Sequence, residues 1–391
     1  MTECNQSSFK FEAHFSREVV ARFDGGALTS DGGALLLREV DRRIHLMARL
    51  AECFEDHRNP LLVRHQVKEM VAQRVYALAL GYEDLNDHDQ LREDPLLAVL
   101  SGKKQAGEEL LAGKSTLNRL ELSVELPSRY KKIHCRQEAV DKLLVDLYLE
   151  AQDAAPELIV LDLDVTDLPL HGHQEGRFFH GYYDEYCYLP LYIFAGEHLL
   201  CARLRTADQD AAAGSTQEVE RIVGQIRSKW ADARIVVRAD SGFCREELMA
   251  WCEAHGVGYV LGFARNERLR RMIAPQMEEA AQRQRATGKP ARVFTEFEYQ
   301  TTTGSWSKAR RVVAKAEQIE GKENPRFVVT NLSAGQWPAQ ALYEELYCAR
   351  GEMENRIKEQ LSLFATRVSA ETMQANQVRL NLAGCAYVLL H

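Results

Sequence analysis

Apolar positions recur at helical spacing through the first 150 residues and then change period. Ser30-Asp31-Gly32-Gly33 reads as a helix start for the run ALLLREV at 34–40, and Val63–Leu80 and Val140–Leu149 repeat the helical spacing. The echo of Asp24-Gly-Gly-Ala-Leu in Asp31-Gly-Gly-Ala-Leu reads as two turns rather than as a repeat architecture. From Pro156 short apolar runs alternate with amphipathic segments. ELIVLDLD at 157–164 and RIVVRAD at 234–240 predict buried strands that end in acids. Tyr188–Phe194 and His198–Leu204, joined by Ala195-Gly196-Glu197, predict a hairpin. Helices are expected over 214–230, 245–255 and 267–285, the last broken at Pro275, with a strand at Gly258–Phe263. This order mixes a hairpin with βαβ units and predicts an α/β fold, a mixed sheet flanked by helices. Arg292–Gln300, Lys308–Ala316 and Arg326–Thr330 then predict a β-rich insertion over about 292–331. Helices return at 337–363 and 371–391, and the chain stops inside the apolar run Ala-Tyr-Val-Leu-Leu-His, which predicts a truncated C-terminus.

The resulting division is a mainly helical segment, 1–150, followed by an α/β domain, 151–391. At 391 residues two or three domains are expected. Nine cysteines without a CxxC pair argue against a disulfide or zinc-ribbon scaffold and fit a reducing, cytoplasmic chain. The N-terminus lacks an apolar signal core, and no stretch reaches the roughly 18 apolar residues of a membrane helix.

The formal charge of −8 conceals an uneven distribution. Residues 1–150 carry 21 basic against 25 acidic side chains, a net of −4, whereas 265–315 carries 12 against five, a net of +7. A basic block inside an acidic chain fits either a phosphate-backbone contact or a solvated helix and hairpin. Gly113-Lys114-Ser115 is not a phosphate-binding loop, because position 108 is Glu where that loop needs Gly. Lys114–Arg119 reads as a capped helix start, with phosphate contact as the alternative. His171-Gly-His173 with His180 lacks a Cys or Glu at zinc spacing. Cys244 and Cys252 read as core thiols.

Three places carry candidate chemistry. Asp162 and Asp164 alternate with Leu161, Leu163 and Val165 and therefore share one strand face. Asp240 ends the second strand. Acids at strand ends lie where open α/β sheets place their sites, and clustered carboxylates suit Mg²⁺ or Mn²⁺. As single residues, each could instead cap a turn. On the helix Tyr347-x2-Arg350-x3-Glu354-x3-Lys358, one face presents a cation, a carboxylate and a cation. That is either a salt-bridge ladder or a metal ligand flanked by Tyr347, Arg350 and Lys358 as phosphate grips.

LDLDVTDLPLHGHQ, YCYLPLYIF, IVVRADSGF and the Tyr-x2-Arg-x3-Glu helix, in that order, resemble the DDE transposases of bacterial insertion sequences, in the branch with a β-rich insertion before the Glu. The likeness implies a ribonuclease-H-like core in which two aspartates and a glutamate hold two divalent ions. By position Asp164, Asp240 and Glu354 fill those places, with Asp162 and Asp167 as rivals for the first. Where the family carries Lys seven residues after the Glu, this chain has Leu361. The resemblance further implies binding to double-stranded DNA (terminal inverted repeats and target), strand cleavage and strand transfer, a homodimer on DNA, and a bacterial cytoplasmic setting. Residues 1–150 are then the expected reader of DNA ends, and Arg292, Lys308, Arg310 and Arg311 are expected beside the cleft. A nuclease of the same fold without strand transfer and a truncated DNA-binding relic are the alternatives.

Overall fold

The computed structural model describes residues 8–22, 29–103, 110–302 and 304–391; the Asp24–Leu28 half of the turn echo lies outside them. An antiparallel hairpin, Ser8–His14 with Arg17–Arg22, precedes the helices. α1 (Ala34–Ile44) begins directly after Gly33, as the start signal predicts. α2 (Val67–Ala79) is opened by a capping box between Gln66 and Glu69. It is buried from Met70 to Leu78, including Gln73 and Arg74. Those two polar groups are satisfied internally. The Gln73 amide donates to the Ala112 carbonyl at 2.8 Å, and Arg74 pairs with buried Glu121 at 2.8 Å. Glu121 belongs to α3 (Lys114–Glu121), so the Gly113-Lys114-Ser115 motif is a helix start with Gly113 as its N-cap. α4 (Gln137–Ala151) leads into the sheet.

β1 (Ile159–Val165), β2 (Leu191–Ala195) and β3 (His198–Arg203) form an antiparallel meander, the last two being the expected hairpin. After α5 (Ser215–Lys229), β4 (Ile235–Ala239) returns parallel to β1; after α6 (Glu246–Ala254), β5 (Gly258–Phe263) lies parallel to β4. Parallel strands covered on both faces must be apolar throughout, and β4 is buried along its whole length. The expected helix 267–285 is interrupted at Ile273 just before Pro275, giving Glu267–Met272 and Ala274–Thr287.

The β-rich segment consists of β6 (Ala291–Tyr299), β7 (Arg310–Ile319) and β8 (Arg326–Thr330). It does not project from the sheet. β8 pairs antiparallel with β5, so the sheet runs β3-β2-β1-β4-β5-β8-β7-β6, and the two-residue strand Lys322–Glu323 pairs with β7. The cations expected beside the cleft are paired within the fold. Arg310 is buried between Glu246 at 2.6 Å and Glu253 at 2.7 Å of α6. Arg311 pairs with Glu296 and donates to the carbonyls of Leu332 and Trp337. Arg292 is held by Glu317 and Glu344, and Lys308 by Glu253. Each of these cations meets an acid from a neighbouring strand or helix, which neutralises locally the positive block seen in the linear sequence.

α7 (Gly351–Gln360) carries the Glu motif, and α8 (Met373–Leu390) closes the fold. α8 is apolar on nearly every face because it is buried twice. Val378, Leu382, Cys385 and Leu389 complete the core of the N-terminal helices. Leu380, Ala383 and Tyr387 pack with Tyr192, Phe194 and Leu199 of the meander. Among the described residues no helix is long and apolar enough to cross a membrane.

Candidate active site

β1 and β4 are adjacent and parallel, so both bring their carboxyl ends to the same edge. Asp164 sits at the end of β1. Asp240 follows β4 as the cap of a short turn, its carboxylate accepting from the Gly242 amide at 2.8 Å. Asp164 accepts from the amide of Val165 at 2.9 Å, which holds its carboxyl against its own backbone. Burial pushes Asp164 up to about 6; Arg350 opposes that shift and the negative charge of Asp240 adds to it.

The helix facing this edge is irregular. Leu342–Tyr347 is wound as π-helix and Cys348–Arg350 as 3₁₀-helix before α7 begins at Gly351. Such local changes of winding concentrate at functional positions. Met353, Ile357 and Gln360 face the core, leaving Arg350, Glu354 and Lys358 on the other side. Arg350 reaches Asp164 at 2.8 Å with one nitrogen and Glu354 at 3.1 Å with another. One guanidinium therefore bridges the first strand-end acid and the helix acid. Tyr347 lies close enough to Asp240 and Arg350 to sense both charges, although burial is the main cause of its raised pKa.

The three acids do not close on a single point. Among the described residues no three His, Cys, Asp or Glu side chains stand close enough to hold a metal ion. Arg350 bridges Asp164 and Glu354, while Asp164 and Asp240 stand at the ends of adjacent strands, near enough for their charges to interact. The donor chemistry nevertheless suits a hard divalent cation. The ligands are carboxylate oxygens, and they are already arranged around a positive charge. Lys358 is exposed, one turn beyond Glu354, and Leu361 packs against the core. Asp167 shares a hydrogen bond with Glu185. His173 faces Arg177, and the ring of His180 lies 5.0 Å from that of Tyr183.

Asp162 lies deeper than Asp164. It is buried and paired with Arg238 through two hydrogen bonds of 2.5 and 2.7 Å, and Arg238 also donates to the Leu346 carbonyl at 2.5 Å. Since Asp162 and Arg238 are register partners on β1 and β4, this pair clamps the two acid-bearing strands and ties them to the π-helical turn.

Gly262 on β5 escapes sequence reasoning. A Cβ there would stand 2.6 Å from the Tyr347 hydroxyl, 2.8 Å from the Ser241 amide nitrogen and 3.1 Å from the Asp240 carbonyl carbon. Two of those neighbours are backbone, so relief requires moving the Asp240 turn. Gly262→Ala is expected to cost about 1–3 kcal/mol of stability, the usual effect of overpacking. Urea denaturation tests it; a wild-type midpoint would remove the close approach from the account.

In the mixed sheet, aspartates stand at the ends of two neighbouring parallel strands, the arrangement that the sequence resemblance implies. Comparison with known proteins narrows this. Residues 11–391 match the transposase DDE domain group 1 family, and the chain belongs to it. Its function is that of a DNA transposase, cleaving and joining DNA strands, and such transposases generally use divalent metal ions. No curated protein matches the chain. Among solved structures it is similar to the piggyBac transposase in its synaptic complex with hairpin DNA, determined by cryo-electron microscopy. The identity is 11%, with 91% of this chain and 74% of that chain covered at a TM-score of 0.43.

Proposed function

We propose that the chain cleaves DNA at the ends of an insertion sequence and transfers the freed strands to a target. Asp164, Asp240 and Glu354 are the residues that would hold two Mg²⁺ or Mn²⁺ ions. The observation that carries the reading is the Arg350 guanidinium bridging Asp164 and Glu354 beside Asp240, a site organised around positive charge. When bound, the ions supply Lewis-acid polarisation of the scissile phosphate and of the attacking oxygen. The protein's own part is to position and to neutralise. The Val165 amide fixes Asp164, the Gly242 amide fixes Asp240, and the Asp162–Arg238 clamp holds their strands in register. Arg350, which pairs with Asp164 and Glu354, would be placed to grip a phosphate oxygen, with Tyr347 beside it. In this reading the DNA ends are terminal inverted repeats held by a homodimer, and the cell is bacterial.

The test is incubation of purified protein with a duplex carrying the element end, a target plasmid and Mg²⁺. Nicking followed by joining supports the proposal. Nicking without joining would instead favour a nuclease of the same fold, and binding without nicking a relic.

A further inference from the structure

The acidic N-terminal half conceals a basic groove. Residues around 58–65, 89–103, 110–119 and 129–133 wall an open cavity of about 1170 Å³. Among the described residues eight Lys or Arg side chains line it against one acid, Asp89, although residues 1–150 are net negative. Three of the eight have acid partners: Arg58 with Asp56, Lys103 with Glu69 and Lys114 with Asp89. Among the described residues no carboxylate lies within salt-bridge distance of Arg64, Arg92, Arg119, Arg129 or Lys132. Cations from four separated stretches, gathered in one concavity, create a local positive field suited to a polyanion.

Two local features agree. The first turn of α3, at Lys114, Ser115 and Thr116, lines the groove, and there the Lys114 amide donates to an anionic oxygen, that of Asp89, at 3.4 Å. Helix-start amides of that kind suit phosphate. The imidazole of His65, in the wall, is held below its ordinary value by burial first, then by Lys103, with Arg58 and Arg64 adding to the effect. Among the described residues the lining contains one Phe, Tyr or Trp side chain, Tyr130, besides the His65 ring. Single-strand sites depend on several stacking rings, whereas duplex is held through its phosphates. The geometry points to this groove as the surface that docks duplex DNA of the element end by its phosphate backbone. The inference rests on the transposase function and locates, within residues 1–150, the surface that holds the ends.

Binding of an end-containing duplex is measured by fluorescence anisotropy across a salt series. The variant Arg64→Gln/Arg119→Gln/Arg129→Gln changes three exposed side chains, and circular dichroism confirms that it folds. The control, Arg271→Gln/Arg285→Gln/Lys289→Gln, removes three exposed cations of the positive block 265–315. The groove variant is expected to bind roughly tenfold or more weakly, with a log–log salt slope shallower by about 2.7, the release expected for three lost phosphate contacts. The control should retain the wild-type slope. An unchanged slope in the groove variant, or an equal loss in the control, would overturn the inference while leaving the transposase function intact. Preferential, groove-dependent binding of the single strand would overturn the duplex assignment. Wild-type protein that binds no end duplex under any salt condition would sink the transposase reading as well.

Discussion

Glu354→Gln is expected to abolish strand cleavage while leaving both the fold and DNA binding in place. The carboxylate is half exposed and, among the described residues, its ion pair is with Arg350 on the preceding turn, so an isosteric amide should change stability by no more than about 0.5 kcal/mol. The site loses a negative charge that a divalent cation would need, and cleavage should fall on the order of 10²–10³-fold or more, as when other charge-stabilising groups are removed. End-DNA binding should persist or tighten, because the variant repels phosphate less. Arg350 would also keep Asp164 as its sole carboxylate partner of the two. Mg²⁺-dependent nicking, measured beside anisotropy on the same preparation, separates the possibilities. Wild-type nicking by Glu354→Gln would show that the residue is only a rung in a helical salt-bridge ladder.

Arg238→Met should be the most destabilising single change in the catalytic sheet. It leaves Asp162, only 4% exposed, as an uncompensated charge between two buried strands. Breaking a buried pair on one side costs about 3–5 kcal/mol, whereas replacing both partners by apolar groups is often neutral. Asp162→Leu/Arg238→Met should therefore recover most of the lost stability. It should not recover activity, because the Leu346 carbonyl still lacks the guanidinium that anchors the π-helical turn. Denaturant midpoints and nicking rates for the single and double variants test both halves. Equal midpoints for Arg238→Met and wild type would mean that Asp162 is not charged in the folded protein, and the clamp would lose its electrostatic basis.

What could be read from the sequence follows from which properties are local. Strand alternation placed Asp162 and Asp164 on one face, but period two cannot say which of them reaches the site. That choice is made by Arg238, the register partner of Asp162 on a strand more than 70 residues away. The i, i+4 spacing of Arg350 and Glu354 was visible; the reach of Arg350 across to Asp164 is tertiary. Gly262 left one faint signal, a glycine inside the apolar run Val-Leu-Gly-Phe, the usual mark of close backbone approach. The positive block at 265–315 misled because linear charge does not show partners from outside the window, such as Glu246 and Glu253 beside Arg310 or Glu317 and Glu344 beside Arg292. The reverse held for residues 1–150, where a net of −4 masked cations that only the folded chain gathers. The hairpin Ser8–His14/Arg17–Arg22 went unread because its alternation, in Phe9-Lys-Phe11-Glu-Ala13, sits in what looked like a polar leader.

The double burial of α8 bears on how the protein comes into being at the ribosome. The N-terminal helices bury Val378, Leu382, Cys385 and Leu389, side chains synthesised more than 200 residues after α4, and Arg379 completes the charge pairing of Glu121. At a synthesis rate of about 5–20 residues per second, those helices wait on the order of ten seconds or more for their last wall. Until then the first 150 residues expose an apolar seam where α8 belongs. A prematurely released N-terminal fragment is therefore a substrate for chaperones and proteases rather than a stable DNA binder. The N-terminal helices therefore mature only together with the α/β domain whose last helix completes their core.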